Sequence, residues 1–151
     1  MSFNGETPTL HYTLTVKDLS SLEVSGLASV TCDSLEAGDF SLGISGAGDI
    51  TIASLTADNL SVDLSGLGDV TLAGQVTGQE LNLSGAGNYD AGDLESATAS
   101  INLSGLGDTT VWATDSLDVT LSGAGSVEYY GNPSVTQNVT GLGDVSSLGE
   151  H

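Results

Sequence analysis

The chain has 151 residues, room for one domain, and sets 20 acidic side chains against a single Lys or Arg, for a formal net charge of −19. With Lys17 as that lone cation, nothing is available to neutralise phosphates, which excludes nucleic acid, anionic membrane surfaces and most phosphoryl transfer. The single cysteine, Cys32, excludes an internal disulfide, and the absence of any long apolar run excludes direct membrane insertion by a helix.

The opening MSFNGETPTL lacks the character of a signal peptide, and residues 1–13 read as a lead-in or cap. The alternating run LHYTLTV predicts a strand near the start of a repeat array over residues 14–148, the whole forming one domain. From Ser25 onward the phrase SGxG returns seven times, beginning at Ser25, Ser45, Ser65, Ser84, Ser104, Ser122 and Thr140, with spacings of 20, 20, 19, 20, 18 and 18. A period in that range signifies stacked units, each too small to bury its own apolar face.

Within one unit the residues one and three before the motif are apolar, as in Leu42 and Ile44 or Leu81 and Leu83, while the residue between them is polar or Gly. After the motif the same alternation resumes. Val30, Ile50 and Val70 form one inward column, and Cys32, Ile52 and Leu72 form another. Between them runs an outward ladder of Thr31, Thr51 and Thr71. This period of two predicts half-buried strands. A third, weaker apolar point falls near Leu35, Leu55, Val76 and Leu94. Helical periodicity is absent. The expected architecture is all-β, a single-stranded parallel β-helix of about seven rungs of 18–20 residues. An antiparallel meander with SGxGD as hairpin loops is the competing fold.

The third motif position alternates Leu and Ala from Leu27 to Leu142. Parallel stacking would turn it into a continuous column, expected to lie inside a corner where large and small residues fill space in turn. The flanking glycines would allow a positive φ at that bend.

Repeated SGxGD-V-x-L units closing with SVEYYGNPSVTQNVTGLGDV resemble the bacterial auto-transporter adhesin family that carries a head-GIN domain. The resemblance covers roughly Leu14 to Leu148. It implies a right-handed solenoid, exported to the envelope or cell exterior, with no catalytic residues attached.

Three sets of residues are candidates for chemistry. Asp49, Asp69, Asp108 and Asp144 follow the motif, with Asn88 and Ser126 in the other rungs. Stacked carboxylates suit Ca²⁺, although Asp, Asn and Ser share the simpler ability to accept bonds from turn amides. Trp112 and Tyr130 fall at equivalent positions of adjacent rungs, beside Asp33, Ala53, Ala73 and Gly92 elsewhere. They form either a platform for sugar rings or a patch closing over Gly131, Asn132 and Pro133. Asp63, Asp115 and Asp118 are outward carboxylates, but without further His or Lys they make a thin catalytic set.

The expected function is therefore a non-enzymatic, adhesion-like module that presents flat Ser/Thr-rich faces to a glycan or protein. The alternatives are a self-assembling element joined end to end as a homodimer, and, more remotely, a polysaccharide-acting enzyme. No cofactor is required.

Overall fold

The computed structural model describes residues 2–5, 11–17 and 21–150, with side chains described at Ser21, Glu23 and from Ser29 onward. His11, Lys17, Leu22, Val24 and Leu27 thus have a backbone account only. The strands are β1 (Ser2–Gly5), β2 (His11–Lys17), β3 (Ser21–Glu36), β4 (Asp39–Ile44), β5 (Ala47–Leu64) and β6 (Leu67–Leu83). They continue with β7 (Ala86–Leu103), β8 (Leu106–Leu121), β9 (Ala124–Tyr130), β10 (Ser134–Val139) and β11 (Leu142–Gly149).

Every pairing is parallel. Thr51 lies beside Thr71, Leu67 beside Ala86, Tyr89 beside Thr109, and Ala124 beside Leu142. An antiparallel meander is thereby excluded. The seven motifs bound about six turns of a β-solenoid rather than seven. Each of β5 to β8 runs nearly the whole way round, interrupted only at the two-residue Ser-Gly bend. Rungs of unequal length are reconciled away from that bend. Between β7 and β8 the register jumps from Ala91–Val111 to Glu95–Trp112, so Gly92, Asp93 and Leu94 are left outside it.

Close approach, more than backbone handedness, explains the glycines at the bend. A Cβ on Gly66 would run into the carbonyl oxygen of Gly46, and one on Gly68 into that of Gly48. The same clash recurs along both columns, so a side chain at either position would force the rungs apart. Gly66 and Gly68 do not have positive φ.

The core is a set of inward columns. Leu42, Val62, Leu81, Ile101 and Val119 form one, and Ile44, Leu64, Leu83, Leu103 and Leu121 another, all buried. Removing this apolar area from water supplies the main drive for stacking, at roughly 25 cal/mol per Å². An unforeseen column holds Phe40, Leu60, Gln79, Ala99 and Leu117. The expected column near Leu35 needs correction. Leu55 pairs with Gly74, which pairs with Leu94, whereas Val76 stacks between Ala57 and Ser96. The 19-residue rung loses a residue just there, and Gly74, with φ of 134°, lets its backbone lie against Leu55.

The Leu/Ala column is also corrected. Leu67 is 61% exposed, Leu106 59% and Leu142 83%. The bend occupies only Ser and Gly, so the third position already belongs to the next strand and points away from Val70 and Leu72.

Candidate functional site

Trp112 ends the first stretch of β8 and pairs in register with Tyr130 of β9. On its other side stands Glu95, not Gly92, because the β7 register has jumped. Both aromatics are half-buried. A Cβ placed on Gly92 would lie 3.1 Å from Tyr130 Cε2 and 3.2 Å from Thr110 Cγ2, so the phenol ring spans β8 and covers Gly92. A Cβ on Gly131 would lie 3.3 Å from Trp112 Cδ1, which puts the indole against the turn after β9. Gly131, with φ of 96°, anchors that turn by donating its N–H to the Gly149 carbonyl at 2.7 Å. The two aromatics thus have support beneath them and a carboxylate, Glu95, beside them.

Behind this patch lies a buried polar chain. Tyr89 Oη donates to Gln79 Oε1 at 2.9 Å, Gln79 Nε2 donates to Ser96 Oγ at 2.8 Å, and Ser96 Oγ donates to the Trp112 carbonyl at 2.7 Å. Burial pushes the Tyr89 phenol far above its ordinary value by desolvating the phenolate. The chain ties the backbone of Trp112 to the two preceding rungs, β7 and β6. Gln79 and Ser96 were missed in the sequence, since single polar residues in apolar columns look like outward positions.

The Asp ladder is continuous and exposed. Asp49 stands beside Asp69 and Asp69 beside Asn88, then Asp108 beside Ser126 and Ser126 beside Asp144. Asp49 Oδ1 accepts from the N–H of Asp69 at 3.4 Å, and Asn88 Oδ1 from that of Asp108 at 3.3 Å. These are the amide contacts that Asp and Asn make equally well. Only Asp49 and Asp69 bring two carboxylates together, and among the described residues no three His, Cys, Asp or Glu gather into a metal-binding group.

Elsewhere on the rungs lies an open depression of about 340 Å³. Its floor is Phe40, Leu60 and Gln79, and its rim includes Asp39, Asn59, Glu80, Thr98 and Ser100. Gly78 makes the notch between Asn59 and Thr98, and Asn59 Nδ2 donates to Asp39 Oδ1 at 2.8 Å. The remaining carboxylates of the sequence reading do not converge: Asp63 pairs with Asn82, and Asp118 with Ser100 and Thr136. Cys32 is buried in the core as expected, and desolvation raises its thiol pKa.

The family model described as "Putative auto-transporter adhesin, head GIN domain" matches residues 1–133. A crystal structure of a putative adhesin from Bacteroides fragilis is 30% identical, with a TM-score of 0.79 over 86% of this chain and 61% of that one. Another, from Parabacteroides distasonis, is 24% identical, with a TM-score of 0.82 over 93% of this chain and 60% of that one. The chain thus spans about 60% of the length of these solved relatives. No curated protein matches it.

Proposed function

The chain belongs to the auto-transporter adhesin family with the head GIN domain, and from that premise we propose that it is a non-enzymatic, exported adhesion-like module that binds glycan through its outer faces. The observation that carries the reading is the in-register pair Trp112 and Tyr130, half-exposed beside Glu95. Aromatic faces take the apolar side of a sugar ring while a neighbouring carboxylate accepts from its hydroxyls. The depression around Gly78 offers a second surface, with hydroxyl, amide and carboxylate groups on its rim. Titrating the protein with a glycan panel while following Trp112 emission tests this. A saturable shift that is lost in Tyr130→Ala, which keeps the single tryptophan, together with loss of calorimetric binding in Trp112→Ala, supports the platform. No response to any sugar, with protein ligands also silent, removes it.

A second reading, end-to-end self-assembly, rests on the last turn. All of β10 is exposed, including Val135 and Val139, which continue apolar columns of the core. Such an uncovered end can accept another rung. Calcium at Asp49 and Asp69 remains an optional addition, favoured only by that single carboxylate pair.

A further inference from the structure

We propose that the face edged by Leu67, Leu106 and Leu142 docks a second copy of this chain, packed face to face with its rungs in reverse order. After each bend the chain alternates outward and inward, so Leu67, Asp69 and Thr71 point out while Val70 and Leu72 point in. Three outward columns therefore lie side by side over six rungs. The first reads Ala47, Leu67, Ala86, Leu106, Ala124, Leu142, in register throughout. A large side chain thus projects every second rung, about 9.6 Å apart, with a small one between.

Such a column is complementary to itself when one copy is displaced by an odd number of rungs. A two-fold axis along the strands, set between the Asn88 and Asp108 rungs, does this for the whole face. Leu106 then meets the partner's Ala86, Leu67 meets the partner's Ala124, and Leu142 meets the partner's Ala47. In the next column Asp69 meets the partner's Ser126 and Asp108 meets the partner's Asn88. In the third, Thr71 meets the partner's Glu128 and Thr110 meets the partner's Asp90. Each of these carboxylates gains a hydroxyl or amide opposite it. Only Asp49 and the partner's Asp144, at the two ends, set like charges together. An axis along the solenoid instead would put Asp69 against the partner's Asp69 and repeat that conflict at Asp49, Asp108 and Asp144.

The face is large enough for a weak dimer. Six rungs at ~4.8 Å and three columns at ~6.6 Å give about 1,100 Å² buried over both copies. That clears the roughly 1,000 Å² a specific interface needs and falls just below the standard size. Six carboxylates on each face oppose the approach at long range, and salt screens such repulsion. Association therefore strengthens as ionic strength rises, the reverse of a charge-driven complex.

Sedimentation velocity over a concentration series, at low and high sodium chloride, is the test. The expected result is a reversible dimer favoured by salt and weakened at least tenfold in Leu67→Ser/Leu106→Ser, while Val135→Ser/Val139→Ser on the end face leaves it intact. These leucines are exposed, and an unchanged thermal melt confirms that the variant folds. On a Cys32→Ser background, a short thiol-to-thiol crosslinker should join Thr71→Cys to Glu128→Cys in a mixture and leave Thr71→Cys alone unlinked. A monomer at every concentration and salt overturns the proposal. So does a dimer that survives the leucine changes and is lost with the valine changes, which assigns association to the solenoid end. The outcome is independent of whether Trp112 binds sugar.

Discussion

Tyr130 lies beside Trp112 along the strand register, yet its ring rests over Gly92, two strands away. The absence of a side chain at Gly92 is what lets the phenol lie down. Gly92→Leu should therefore lift Tyr130 from the face. The expected result is a change in Trp112 emission and weaker binding of whatever ligand uses the pair, with a melting temperature lowered by only a few degrees. Emission and binding identical to the parent would show that the ring does not depend on Gly92.

Thr109 occupies an inward column between Tyr89 and Val127, fully buried, and its hydroxyl has no hydrogen-bond partner. Thr109→Val keeps the shape and removes the unsatisfied oxygen, so stability should rise by about 1–2 kcal/mol. Denaturant unfolding would read this as a higher midpoint at constant slope.

The Tyr89–Gln79–Ser96 chain leads to a prediction in the opposite direction. Gln79→Ala leaves the Tyr89 hydroxyl and Ser96 without their partner in a closed core, at a cost of about 2–3 kcal/mol.

The same phenol sets a pH response. Its pKa in the folded chain lies far above that of the unfolded chain, near 10. Below that value both states hold the proton and its contribution is complete. Above it the unfolded chain releases a proton that the folded chain retains, so stability falls by about 1.4 kcal/mol per pH unit. Unfolding midpoints measured from pH 8 to 11 should take on this slope only above about pH 10, and Tyr89→Phe should lose that portion of it.

Glycines divide into two kinds. Gly85→Ala drives a Cβ into the Gly66 carbonyl and should cost about 3 kcal/mol or prevent folding, whereas Gly38→Ala meets nothing within 4 Å and should be nearly neutral. Comparable melts for both would refute the close-approach account of the Ser-Gly bend.

Much of the fold was legible because the period-2 pattern of Leu42, Ile44, Ile50 and Ile52 repeats at a near-constant interval, and stacking is the one way to bury all copies at once. The error at Leu67, Leu106 and Leu142 is instructive. Alternating Leu and Ala suits a filled corner and a ridged surface equally, and only the length of the bend distinguishes them. The Val76 assignment failed because a 19-residue rung hides where its missing residue falls. Of the site, the adjacency of Trp112 and Tyr130 was readable from repeat arithmetic. Glu95 was not, since Gly92, Asp93 and Leu94 have no counterparts on β8 and change the count. Gln79 was invisible because an inward polar residue announces itself only through the partners it finds.

The outer Leu/Ala column also constrains how such a chain can change length over evolutionary time. The inward columns repeat with every turn, so gaining or losing one turn leaves the interior as well filled as before. The outer column repeats with every second turn, so a single insertion would set two leucines or two alanines side by side. Lineages under selection only for folding should differ by any number of turns, whereas those selected for the ridged face should differ by even numbers.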